Sequence, residues 1–287
     1  MARFVKTKTS KPTKPSGPPS DYSAILEKIK PVSSFKPEVK VVLYGKPGTG
    51  KTTLAASFPK PCILIDISEK GSDSVRDVTG LDVIRVTDWD ELEMLYWYLR
   101  ENKKGYKSVV VDTVSYAQTL AMKKTLEEKG KAVEEGKVGG WGTMARKDWG
   151  EVSAKLGPFI TNMRDLPLNL VMIAHDKVFN AQEDEDESAS STDRIDPSVG
   201  PRLMPSVAST LNASVGLIGN TFIRERYTTV EVKGKKREKR IVEYCLRVGP
   251  HSMYITKVRS PKSATKVDVI VDPEYQDILD LIQGVKS

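Results

Sequence analysis

Gly45-Lys46-Pro47-Gly48-Thr49-Gly50-Lys51-Thr52 matches the pattern G-x-x-x-x-G-K-[ST] at every fixed position. The apolar run Val41-Val42-Leu43-Tyr44 leads into it, and Thr53-Leu54-Ala55-Ala56 follows as good helix-forming sequence. Strand, glycine-rich turn and helix are the context in which this pattern acts as a P-loop. The glycines let several backbone N–H groups converge on one phosphate at the positive end of a helix. Lys51 can then reach the β- and γ-phosphates, and the Thr52 hydroxyl can ligate Mg²⁺. Gly45 through Thr53 are therefore the expected nucleotide cradle, with ATP and Mg²⁺ as the implied cofactors.

Working outward, short apolar runs recur at Cys62–Ile67, Val83–Val86, Val109–Val111 and Leu170–Ala174. Nearly continuous apolar strands with helices between them predict a parallel sheet covered on both faces. One helix is predicted after Asp88, with Glu91 in capping-box spacing and Trp89, Leu92, Leu95, Tyr96 and Leu99 inward. Another is predicted over about 149–166, kinked at Gly157-Pro158. Beyond about residue 213 the pattern changes to strands at Ser214–Ile218, Phe222–Val232, Ile241–Val248 and Met253–Val258. Lys233-Gly234-Lys235-Lys236 reads as a hairpin turn between two of them. Asp272-Pro273 reads as the cap and first turn of a closing helix over 272–284. The fold class expected is α/β, a P-loop core with a mostly parallel sheet, flanking helices and an antiparallel β extension over 213–265.

The chain has 287 residues, 39% of them hydrophobic, which suffices for one large α/β domain. Lys and Arg exceed Asp and Glu by 45 − 38 = 7, and the excess is local. Residues 221–266 hold 13 Lys/Arg against 4 Asp/Glu, a net +9, so the remainder is slightly acidic. A basic segment of this kind favours a polyanionic partner. Residues 1–20 carry five basic residues and no acid. The expected organisation is a disordered basic arm over 1–22, either partner-binding or merely solubilising, followed by a single domain over 23–287. Cys62 and Cys245 lie in apolar strand-like runs without metal spacing and read as buried thiols in a reducing compartment. No apolar stretch reaches the length of a membrane span, and the first residues lack the apolar core of a signal peptide. A soluble cytoplasmic protein without a membrane partner is expected.

Four further groups are candidates for chemistry. Val109-Val110-Val111-Asp112 is an apolar strand ending in a carboxylate, the place from which an acid holds Mg²⁺ beside a P-loop. Ile63–Ile67 is a second such strand, and either Glu69 or Asp66 beside its tip can orient and deprotonate an attacking water. His175, after Leu170–Ala174, is either a structural imidazole or a sensor of the γ-phosphate. Lys257 and Arg259 alternate at a strand end. They read either as solvated charges or as a finger reaching a nucleotide held by a neighbouring subunit.

Two long irregular segments follow strand tips. Residues 129–147 place Trp141 among glycines with Arg146-Lys147 close behind, which suits either stacking on an unpaired base or ordinary core packing. Residues 177–200 carry the acidic run Glu183–Glu187, which would repel a phosphate backbone and suits a protein partner or a basic surface.

Together these residues resemble the phage-encoded P-loop ATPases with a RecA-like core, the Sak-type single-strand annealing and recombination group. The elements are GKPGTGKTT, PKPCILIDISEKG, VVVDT, RKDWGEV, IAHDK and the terminal KVR, over roughly residues 38–260. The resemblance implies Glu69 as water activator, Asp112 as the Mg²⁺ acid, His175 as sensor and Lys257/Arg259 as a trans-acting finger. It implies DNA-facing loops at 129–147 and 177–200. The implied function is DNA-dependent ATP hydrolysis by a homo-oligomeric ring or filament on single-stranded DNA, in recombination, annealing or replication, beside a phage single-strand-binding or replication protein. The alternatives are a non-catalytic ATP switch and a small-molecule kinase. The basic β-ribbon within residues 221–266 speaks against the kinase without excluding it.

Overall fold

The computed structural model describes residues 22–31, 34, 38–67, 70–130, 144–179, 197–232, 235–262 and 264–284. The chain divides into two units, Met1–Pro37 and Glu38–Ser287. In the first, Ser23–Leu26 forms a short helix (α1).

The second unit is built on β1 (Lys40–Tyr44), whose residues 41–44 are completely buried. It pairs in parallel with β5 (Asn169–Ala174) on one edge and with the start of β8 (Leu217–Val232) on the other. The parallel run continues through β4 (Ser108–Asp112), β2 (Cys62–Ile67) and β3 (Leu81–Val86). On the other side β9 (Lys235–Arg247) and β11 (Val269–Val271) extend the sheet antiparallel, giving the order β11-β9-β8-β1-β5-β4-β2-β3. The expected α/β class with a mostly parallel sheet is the one observed.

Alternation along each central strand sends side chains to two separate cores, which is why these strands read as unbroken apolar runs. Val42 and Tyr44 join a core with α3 (Trp89–Glu101), α4 (Val114–Glu128), α5 (Arg146–Asp165) and α6 (Pro205–Ser214). Val41 and Leu43 face the opposite core, which α2 (Lys51–Ala56) and α7 (Tyr275–Gln283) cover. The tips of β1, β2, β4 and β5 at Tyr44, Ile67, Asp112 and Ala174, level with Asn220 within β8, consequently share one sheet edge, where open α/β sheets place their ligands.

Several local expectations are corrected. Helices α4 and α6 were not expected from the sequence. Ser214 ends α6, and the two strands expected over 214–232 are one, β8. The strand expected over 253–258 shrinks to β10 (Lys257–Val258), which pairs antiparallel with Leu217 and Ile218 of β8. Its preceding residues serve other contacts: Ile255 N donates to Val199 O, and Tyr44 Oη to Ile255 O. Arg146 and Lys147 open α5, and Pro158 lies inside that helix. Asp272 does not cap α7; Glu274 is the N-cap, and its N–H donates to the Asp277 carboxylate at 2.8 Å. Of the segment 177–200, both ends are strand: β6 (Asp176–Phe179) pairs antiparallel with β7 (Ser198–Pro201). Trp141 and the acidic run Glu183–Glu187 lie outside the described residues.

Candidate nucleotide site

The turn after β1 has no slack. Gly50 caps α2 with φ 82°, a left-handed conformation that L side chains rarely adopt. A Cβ on Gly45 would stand 2.3 Å from the carbonyl oxygen of Thr221, so that glycine is demanded by contact with β8. The same threonine braces the loop by a second route. Thr49 Oγ1 donates to Lys46 O at 2.8 Å and is left to accept from Thr221 Oγ1 at 2.7 Å. Lys51 folds over the loop, its ammonium donating to Gly45 O and Lys46 O at 2.8 Å each. A cation thus sits at the mouth of a ring of backbone, which together form an anion cradle.

Thr52 joins this loop to the β4 side of the site. Its hydroxyl donates to Asp112 Oδ2 at 2.7 Å, and Asp112 is only 3% exposed. Hard oxygen donors paired this closely, with phosphate oxygens and waters left to complete the shell, fit Mg²⁺. Among the described residues there is no cluster of three or more His, Cys, Asp or Glu able to hold a metal ion. The turn after β2 closes over the pair, since a Cβ on Gly71 would lie 2.9 Å from Asp112 Oδ2 and 3.6 Å from Thr52 Oγ1.

The remaining expected residues separate. Asp66 is 1% exposed and accepts from both Ser72 N (3.3 Å) and Ser72 Oγ (2.6 Å), which commits it to the turn at Gly71–Val75. Glu69 lies outside the described residues. His175 lines the cleft at the tip of β5, between the P-loop strand and the Asp112 strand, edge-on to Tyr116 with ring centroids 5.7 Å apart. The His175 backbone N–H donates to Ser115 Oγ at 3.2 Å, and its backbone carbonyl accepts from Arg202 N at 2.8 Å.

Lys257 and Arg259 lie at the opposite edge of the sheet. Arg259 N donates to Gly216 O, level with Lys40, so the length of β1, about 13 Å, separates this level from the P-loop. Their side chains donate to Asn212 O and Ala213 O at the carboxyl end of α6, where cations complement the helix dipole. Burial, and then the neighbouring Arg259 charge, hold the Lys257 ammonium below its ordinary range.

The cradle opens into a cleft of about 1150 Å³ that reaches well beyond the P-loop. Its far wall carries Tyr244 of β9 and Asp272, Pro273 and Glu274 ahead of α7. Thr221, Gly71 and this wall escaped the sequence reading. Only Gly71, two residues beyond the candidate base Glu69, had any local signal.

Fold and site together define a P-loop ATPase domain of the AAA type. The chain belongs to the AAA domain family AAA_24, whose pattern matches residues 37–260. Among solved structures, a KaiC-like protein from the hyperthermophilic archaeon Pyrococcus horikoshii OT3 is similar at 13% identity and a TM-score of 0.38. That match covers 83% of this chain and 91% of that one. No curated protein is matched by the chain. Among the described residues no helix is long and apolar enough to cross a membrane.

Proposed function

We propose that this protein hydrolyses ATP with Mg²⁺ while acting on single-stranded DNA as a cytoplasmic homo-oligomer, in phage-type recombination, annealing or replication. The observation that carries the ATPase reading is the 2.7 Å contact between Thr52 and Asp112 beside the P-loop. Lys51 holds the phosphate chain, Thr52 and Asp112 hold the metal, and Glu69 orients the attacking water. Mg²⁺, when bound, neutralises charge on the phosphate chain. His175 couples the phosphate end of the cleft to β6, which it directly precedes.

The DNA reading is supported by the β8–β9 ribbon. Beyond Thr221 the two strands pair with each other out to Val232 and Lys235. One ribbon face carries Arg224, Arg226 and Lys239 together with exposed Ile241, and among its described side chains only Glu243 offsets it, by ion pairs of 2.7 and 3.3 Å. Tyr227, 66% exposed, stands on the other face. A basic face suits the phosphates of a nucleic-acid strand, and an open aromatic suits a stacked base.

The test is ATP turnover of the wild type, Lys51→Ala and Asp112→Asn, with and without single-stranded DNA. Both variants should lose at least about 100-fold in turnover, and DNA should stimulate the wild type. Wild-type-like turnover by Lys51→Ala would remove the P-loop from the chemistry. A wild type that binds ATP without turnover would instead be a nucleotide-dependent switch.

A further inference from the structure

We infer that Tyr244 is the stacking platform for the nucleotide's base, and that Asp272 and Glu274 line the sugar and the base's amino edge. This inference rests on the nucleotide-binding reading above and assigns the end of the cleft that no phosphate or metal ligand occupies. The direction follows from the sheet. β1 lies between β5, which leads to Asp112 on β4, and β8, which leads to Tyr244 on β9. The Thr52–Asp112 contact marks the metal side, and the metal goes with the terminal phosphates. The nucleoside must therefore leave the P-loop on the other side, toward Tyr244.

That side is a built wall. The ring of Tyr244 rests on the P-loop itself, since a Cβ on Gly50 would lie 3.3 Å from Tyr244 Cδ1. Its backbone is held from both directions: Tyr244 O accepts from Asp272 N at 2.6 Å, and Tyr244 N donates to Asp272 Oδ1 at 3.3 Å. Asp272 adopts φ 47°, a left-handed conformation uncommon for a residue with a side chain, and the rigid Pro273 follows. Glu274 is then fixed over the far end of α2, because Tyr275 N donates to Ser57 Oγ at 2.8 Å and Tyr275 packs edge-on to Phe58 at 4.9 Å.

The chemistry of the wall is selective. Tyr244 lines the cleft yet is 44% exposed, leaving an aromatic face open toward it. Asp272 and Glu274, when ionised, only accept hydrogen bonds, so they suit sugar hydroxyls and an exocyclic amine. They would repel phosphate, which keeps the nucleotide in one orientation.

The experiment compares Mg–ATP with Mg–tripolyphosphate, which has no base or sugar, by calorimetry or by competition. The proteins are wild type, Tyr244→Phe and Tyr244→Leu. Tyr244→Leu should weaken Mg–ATP binding about tenfold or more and leave tripolyphosphate affinity unchanged, whereas Tyr244→Phe should keep both. Unchanged tripolyphosphate binding also shows that the variant is folded. Equal loss of both ligands would mean that Tyr244 only supports Gly50 and would overturn the assignment, as would full Mg–ATP affinity in Tyr244→Leu. A wild type that binds neither ligand would overturn the nucleotide-binding reading as well.

Discussion

Gly71 approaches Asp112 so closely that a single added carbon would lie 2.9 Å from the carboxylate oxygen that receives the Thr52 hydroxyl. Gly71 has no left-handed φ. Alanine therefore fits the backbone there, and its only conflict is with the metal-binding pair. Gly71→Ala should leave the fold intact while raising the Mg²⁺ concentration needed for hydrolysis, by about tenfold for each 1.4 kcal/mol of displacement. A Mg²⁺ titration of ATPase activity reads this directly. An unchanged titration would separate the turn after β2 from the metal site.

Arg259 stands a strand's length from the P-loop of its own chain, so any contact it makes with a nucleotide belongs to a neighbour. Arg259→Ala and Lys51→Ala should each be inactive alone and regain part of the activity when mixed. Some mixed interfaces then join an intact P-loop to an intact cation. Activity should also rise faster than linearly with protein concentration. No rescue, together with first-order dependence, would leave Lys257 and Arg259 as caps of α6.

DNA binding should be steeply salt-dependent, because each phosphate neutralised by Lys or Arg releases a counterion. Replacing Arg226 and Lys239 together should flatten the slope of log affinity against log salt by about 2. Trp141→Ala should cost about 1–3 kcal/mol on single strands if the indole stacks on a base. Equal affinity for duplex and single strands would count against stacking.

Cys62 is fully buried at the start of β2, and burial pushes its thiol up to about 11. A thiol reagent should leave it unmodified in the native protein and react on unfolding. The raised pKa also has a sign. Below pH 9.0 the thiol is neutral in both states. Between 9.0 and about 11 the unfolded thiol ionises first, so stability falls, by roughly 2–3 kcal/mol over the window. Chemical denaturation of wild type and Cys62→Ala across that range should show the difference in slope.

What the sequence revealed divides by how local the signal is. The P-loop and the Asp112 strand were legible because each is one segment whose chemistry and secondary structure are written in adjacent residues. Thr221 and Tyr244 were not, because their roles arise from pairing: β8 lies beside β1, and β9 returns along β8. Met253–Val258 looked like a strand by alternation, yet β9 takes the edge of β8 from Asn220 onward, leaving only Leu217 and Ile218 for β10. Lys257 and Arg259 alternated as expected and do point to one side. That side is the end of a helix, α6, which the sequence had not revealed.

The two ends of β8 are under unequal constraint. At its root Leu217–Asn220 pair in parallel with β1 while Thr221 touches Gly45, so a one-residue slip would turn every contact to the wrong face. Past Arg224 the strand pairs, among the described residues, with β9 alone. Residues can therefore be gained or lost there in matched pairs, about 7 Å of length for every two residues per strand, without moving an atom of the ATP cradle. The ribbon is the part of the protein whose reach evolution, or an engineer, can set independently of its P-loop core.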